Sequence, residues 1–433
     1  MRRIRWLLPA LVALAVPSAT VAAAEEPTIN SGDTAWLLMS TALVMVMLPG
    51  LALFYGGLVR RKNVLSTIMH SFFGLAIVSV VWVLWGYSLA FGPDVNGLGI
   101  IGGLDFLGFS NVGLTPDTRY AGTIPHVLFA SFQLMFAAIT PALITGAFAE
   151  RKRFGAFVVF TILWSTLVYS PLAHWVWAPG GWLRTMGALD FAGGTVVHIS
   201  SGVSALVVAL MIGKRHTNGD RMEPHDVPMT VLGAGLLWFG WFGFNAGSAL
   251  AATGQAANAL LVTNTAAGAA TLTWVAASYL HRRKVSVVGA ACGAVAGLVA
   301  ITPASGFVTA GGAVLIGLAV GGLCYSATLL RARIKVDDAL DVFAVHGVGG
   351  SFGALATGVL AVAAIGGFSG AIDGNPGQIV TQLIAVGATV AFSAAATFVI
   401  VKVVDLVLGL RVTPEHEEAG LDLSVHGEAA YQV

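Results

Sequence analysis

Long uncharged stretches recur along this chain, separated by short polar or charged connections. The first five cover 34–59, 63–93, 120–149, 154–183 and 191–213, each long enough for the roughly 20 apolar residues a membrane helix requires. The run 227–280 exceeds one span, and its small polar middle, 252–258, divides it into two. The run 285–330 divides in the same way at 302–306. Runs at 342–364 and 378–408 bring the expected number of membrane helices to eleven.

The charged positions give this pattern a direction. Arg60, Arg61 and Lys62, then Arg151, Lys152 and Arg153, then Lys214, Arg215 and Arg221, then Arg282, Arg283 and Lys284, then Arg331, Arg333 and Lys335 fall in every second connection, and Arg411 follows the last run. The intervening connections hold only Arg119 and Arg184. Lysine and arginine collect in cytoplasmic loops, so the pattern predicts an external mature N-terminus and a cytoplasmic C-terminus. At the start, Met-Arg-Arg-Ile-Arg precedes an apolar run and Val21-Ala-Ala-Ala24, the composition of a secretory leader spanning 1–24. An uncleaved anchor helix is the alternative, weakened by Pro9 and Pro17. The organisation expected is thus leader 1–24, membrane domain 25–410 and cytoplasmic tail 411–433.

Composition agrees with a polytopic membrane protein: 57% of the 433 residues are hydrophobic and 10% are charged. A formal net charge of +1 without a long basic run argues against nucleic-acid binding. Cys292 and Cys324 both lie in apolar segments and read as packing residues rather than a disulfide or metal framework.

One stretch stands apart chemically. Asp190-Phe-Ala-Gly-Gly-Thr-Val-Val-His-Ile-Ser-Ser201 puts a carboxylate at the start of a membrane run and an imidazole two helical turns later, on roughly the same face. Ionisable groups inside a span ordinarily face a cavity and handle an ion or a proton; a hydrogen-bonded helix anchor is the bland alternative. The tenth run repeats the theme, with Asp341-Val-Phe-Ala followed by His346. Five spans separate the two copies, and an odd number reverses orientation, which predicts two inverted five-helix repeats plus a final helix.

These segments resemble a known family. The Asp190–His198 stretch, Gly240-Trp-Phe-Gly-Phe-Asn-Ala-Gly-Ser248, Asp341-Val-Phe-Ala-Val-His-Gly347 and Gly420-Leu-Asp-Leu-Ser-Val-His-Gly-Glu-Ala-Ala-Tyr431 are similar to the ammonium transporters of the Amt/Mep/Rh superfamily, on the bacterial Amt side. The resemblance runs from about Asp33 to Tyr431 and implies an all-α membrane homotrimer with one pore per subunit, located in a bacterial inner membrane. It implies that Trp177, Phe132, Ser248 and Asp190 recruit ammonium at an external vestibule. Cation-π attraction and a hydroxyl acceptor suit a cation that is losing water. Asp190 would act indirectly, holding the helix start and lending negative potential. Phe136 and Phe244 would close the pore, while His198 and His346 would meet in the lumen, sharing a hydrogen between rings. Gln133, Thr302 and Asp341 would support them, whereas His70, His126 and His174 read as structural or interfacial. The tail, with Arg411, Gly420, Asp422 and Tyr431, resembles the segment through which PII signalling proteins control Amt channels.

The implied partners are therefore ammonium or ammonia, with methylammonium as an analogue, further copies of the chain, a PII-type protein and the lipid bilayer, with no cofactor and no metal. Two other functions stay open at this point: a passive ammonia gas channel, and an ammonium sensor signalling through its tail. A membrane enzyme is a remote third, since no activated nucleophile or metal-ligand spacing is in view.

Overall fold

In the computed structural model, residues 28–216 and 222–431 are described, so the leader expected over 1–24 lies outside the described residues. Helices account for the membrane runs, and no β-strand forms among the described residues. In chain order they are α1 Ser31–Leu58, α2 Arg61–Phe91, α3 His126–Phe148, α4 Phe154–Thr185, α5 Gly194–Ile212, α6 Val227–Ala249, α7 Gly254–Arg282, α8 Val287–Ile301, α9 Ala310–Ile334, α10 Phe343–Leu360 and α11 Gly377–Leu408. Ten are long and apolar enough to cross a membrane; α8, at 15 residues, is the short one. Large apolar side chains stay exposed on the outside, among them Leu406, Leu272 and Phe72, as a lipid-facing bundle requires.

Of the two interruptions read from polarity, 252–258 holds the cap that opens α7 and 302–306 is the turn that follows α8; short polar side chains cap the orphan amides where the helices start. Thr253 opens α7, Ser286 accepts from Gly289 N at 3.0 Å to open α8, and Thr309 accepts from Gly312 N at 3.1 Å to open α9. Asp226 does the same for α6, 2.8 Å from Met229 N, with Pro228 in the first turn, where its missing N–H is no loss.

The two halves are inverted with respect to each other. A methyl group built on Gly57 would meet Asp226 and Thr230, on Gly50 Leu236 and Leu237, and on Gly243 Leu43 and Ser40; numbers rise along α1 as they fall along α6. The same holds for α5 and α10, where Gly202 faces Gly347 while Gly350 faces His198 and the Gly194 carbonyl. Corresponding helices of the two repeats thus run antiparallel through the middle of the molecule. Glycine allows this approach: a Cβ on Gly202 would lie 2.1 Å from Gly347 N.

Both histidine-bearing helices begin with a wide, π-type turn, Gly194–Ile199 and Phe343–Gly347. Such turns rotate the residues they carry and leave carbonyls without their usual partners, which is why they gather at functional positions.

The internal repeat differs from its sequence reading in one respect. His346 corresponds to His198, but the partner of Asp190 is Asp338 rather than Asp341. Asp190 accepts from Thr195 N at 2.7 Å and Asp338 accepts from Phe343 N at 2.7 Å, each five residues on and each eight residues before its histidine. Asp341 instead pairs with Arg331, in a positive-φ conformation at the helix entrance. Burial, reinforced by the charge of Asp341, raises the Asp338 carboxyl to about 6.

Candidate functional site

The site begins at the start of α5. Gly193 adopts a left-handed φ of 110°, so the chain turns sharply and presents consecutive amides to one side chain. Asp190 Oδ1 accepts from Gly193 N at 2.7 Å and Gly194 N at 2.6 Å. Its Oδ2 accepts from Thr195 N, from the Thr195 hydroxyl, and from Val196 N at 3.3 Å. A carboxylate that accepts so many bonds at a helix N-terminus is satisfied by the backbone, and its charge remains as a field for whatever approaches.

Trp177 lies directly above, its indole Nε1 donating to the Asp190 carbonyl at 3.0 Å. It borders a cavity of about 130 Å³ together with Gln133, Phe136, Arg184 and Ser248. The Ser248 hydroxyl donates to the Phe244 carbonyl at 2.8 Å, which leaves its lone pairs free to accept. The Gln133 side-chain oxygen is buried without a partner. Phe132 is buried rather than part of this lining; its ring packs edge-on against Phe136 at 4.9 Å. Arg184, in contrast, belongs to the lining, and sequence reasoning missed it.

Phe136 and Phe244 form the floor of this vestibule. Their rings stack with centroids 4.2 Å apart and planes at 25°. Phe136 borders the vestibule and Phe244 borders the next cavity inward, so the stacked pair is the partition between them.

That inner cavity measures about 10 Å³, room for roughly one water-sized molecule. Apart from the two imidazoles and the Trp241 indole, its walls are aliphatic side chains, Met47 and phenyl rings. His198 and His346 meet with Nδ1 atoms 3.2 Å apart and ring centroids 5.3 Å apart. Between two neutral rings this contact forms only if one Nδ1–H donates and the other Nδ1 accepts. The donating ring then has a bare Nε2, and the accepting ring carries its proton there. The Nε2 of His198 is buried without any protein partner, an arrangement open to a small hydrogen-bonding guest.

Trp241 completes the setting. It stacks on His198 with centroids 5.4 Å apart, and its Nε1 donates to Thr302 Oγ1 at 2.8 Å. Thr302 in turn donates to the Leu298 carbonyl at 2.7 Å, so this threonine fixes His198 through the indole. The other histidines lie elsewhere. His174 contacts Asp94 and the Ala90 carbonyl, both at 3.0 Å; His126 bonds the Tyr87 hydroxyl at 2.5 Å; His70 packs among Phe148, Phe154 and Phe157.

The opposite, basic face is closed by the tail. A short helix, α12 Pro414–Ala419, buries Glu417, which accepts from Arg411 at 2.5 and 3.0 Å and from His216 N at 2.9 Å. Asp422 caps the first turn of α2, accepting from Leu65 N at 3.1 Å and Ser66 N at 2.8 Å. Gly420, with φ 96°, passes so close to Lys62 that a Cβ would fall 2.5 Å from the lysine Cβ. Tyr431 bonds His225 Nε2 at 3.1 Å under the Arg61 guanidinium. Beneath it, buried Glu150 bridges Arg60 and Arg215; burial alone would raise its pKa, but these two positive charges hold it below the usual value.

Among the described residues, no group of three or more histidine, cysteine or acidic side chains is arranged to hold a metal ion.

The model of the Ammonium Transporter Family matches residues 35–431. An ammonium transporter of Bacillus subtilis is 52% identical over 404 residues, covering 93% of this chain and 98% of its own length. The ammonium transporter Amt1 of Archaeoglobus fulgidus is 49% identical over 93% of this chain and all of its own. Among solved structures, Mep2 of Saccharomyces cerevisiae superposes with a TM-score of 0.84 at 38% identity, over 89% of this chain and 88% of its own. A structure titled Sensor Amt Protein gives the same score at 32% identity, over 91% and 98%.

Proposed function

The chain belongs to the ammonium transporter family and is a multi-pass membrane transporter of ammonium, and we propose that it moves its substrate as ammonia plus a separately relayed proton. The observation that carries this reading is the His198–His346 pair, Nδ1 atoms 3.2 Å apart in a narrow, otherwise apolar cavity behind a closed phenylalanine partition.

Ammonium enters the vestibule at Trp177 and Ser248 under the field of Asp190. The stacked Phe136 and Phe244 rings exclude its hydration shell, so crossing favours loss of a proton. Neutral ammonia then meets the bare Nε2 of one histidine and the Nε2–H of the other, and the Nδ1 contact between the rings offers the proton a path of its own. Thr302 and Trp241 hold the first ring in register. The vestibule end faces outward and the tail lies at the cytoplasmic face of a bacterial inner membrane, as the lysine and arginine distribution indicates. Three copies assemble, each with its own pore, and a PII-type protein engages the face on which Arg411, Gly420, Asp422 and Tyr431 dock the tail.

Ammonium-evoked current in proteoliposomes tests this. The intact protein is expected to give a current that disappears in His198→Ala combined with His346→Ala. No current in either, with ammonia uptake preserved in both, supports the second reading, a passive gas channel. The likeness to a sensor protein keeps signalling as a role for the docked tail; it does not replace transport, because a vestibule, a partition and a histidine-lined cavity in series suit passage of a small molecule.

A further inference from the structure

We propose that Arg184 sets the affinity of the vestibule for cations, acting as a tethered competitor for the oxygen nearest Trp177. This rests on the reading of the vestibule as the recruitment site. Arg184 is the one lysine, arginine, aspartate or glutamate side chain in the cavity lining. Its Nη1 donates to the main-chain carbonyl of Trp177. That carbonyl closes the helical segment Ser170–Trp177 and belongs to the last turn, whose acceptors lack partners within the helix and carry the negative end of its dipole. It is thus the kind of oxygen that an ammonium ion shedding water would take.

The guanidinium occupies it first, and does so from an exposed position, where a single hydrogen bond exchanges readily. Arg184 therefore acts in two ways. It covers an acceptor, and it places a fixed positive charge in a cavity that recruits a cation. The carboxylate of Asp190, the residue whose main-chain carbonyl accepts from the Trp177 indole, pulls in the opposite direction. The balance keeps the vestibule from holding ammonium too tightly to release it inward.

The test is the half-saturating ammonium concentration for current in proteoliposomes made from the full chain, comparing the intact protein with Arg184→Met, Arg184→Lys and Trp177→Leu. Arg184→Met is expected to lower the value roughly three- to tenfold at low ionic strength, as removal of a like charge at vestibule distance predicts. Choline chloride should narrow the gap by screening the charge. Arg184→Lys, which keeps the charge, should stay near the intact protein. An unchanged or raised value for Arg184→Met overturns the proposal, as does a gap that salt leaves intact. Trp177→Leu separates the two levels: if it weakens uptake while Arg184→Met does not tighten it, Arg184 alone is misassigned. If Trp177→Leu has no effect, the recruitment reading fails and the role of Arg184 falls with it.

Discussion

Replacing Gly202 by alanine tests whether the spacing of α5 and α10 controls the histidine pair. The added Cβ would lie 2.1 Å from Gly347 N, 2.5 Å from Gly347 Cα and 2.9 Å from the His346 carbonyl carbon, all of them backbone atoms that no rotamer change can move. Ordinary contact begins near 3.4 Å, so the two helices must part locally by about 1.3 Å, the difference between 3.4 and 2.1 Å. Passed on undiminished, that displacement takes the Nδ1···Nδ1 distance from 3.2 Å to about 4.5 Å and breaks the contact. Overpacking of this kind costs about 1–3 kcal/mol, and the lost hydrogen bond adds about 1 kcal/mol. The protein should still fold, with a thermal midpoint lowered by several degrees, while ammonium-evoked current falls far more than stability does. Gly387→Ala is the control, since a Cβ there meets nothing within 4 Å. Full current in Gly202→Ala would refute the argument that this close approach sets the relay geometry.

Four further outcomes follow from the same contacts. Thr302→Val leaves the buried Trp241 N–H without its acceptor, which should cost about 1–3 kcal/mol in thermal unfolding and reduce current, whereas Thr302→Ser should retain most of both. Asp190→Asn replaces an acceptor with a donor facing Thr195 N or the Gly193 and Gly194 amides, so loss of about 3 kcal/mol or more and a sharp fall in the yield of folded protein are expected. Asp338 has its folded pKa raised from 3.8 to about 6 by burial and by Asp341. Its stabilising share is therefore complete below pH 4 and lost as pH rises through 6; unfolding profiles measured across that window should flatten in Asp338→Asn. Glu417→Gln weakens the bonds to Arg411, and amide exchange over 414–431 should accelerate while transport by the isolated protein changes little.

The fold was legible because lipid imposes a simple rule: the uncharged runs became helices, and the small polar residues that divided 227–280 and 285–330 became caps and turns. The short α8 shows the limit of counting, since burial against its neighbours lets a 15-residue helix serve where a lipid-exposed one would need more. At the site, the sequence carried the two histidines, the partition and the vestibule tryptophan, but local likeness paired Asp190 with the wrong acid. The signal was present, since Asp338 precedes His346 by the same eight residues that separate Asp190 from His198. It was hidden by the likeness of Asp341-Val-Phe-Ala to Asp190-Phe-Ala. Trp241 and Arg184 escaped for a different reason. Stacking on His198 joins α6 to α5, and the reach of Arg184 back to the Trp177 carbonyl depends on a turn; neither leaves a periodic trace.

The measurement that tests the central claim most directly is charge and nitrogen counted together: ammonium-evoked current and ammonia accumulation recorded on the same proteoliposomes containing the intact protein. A relay through His198 and His346 beside a separate ammonia path predicts about one elementary charge per nitrogen moved, a ratio that collapses in the double alanine variant. Accumulation of ammonia without any accompanying charge in the intact protein would contradict it and leave a gas channel.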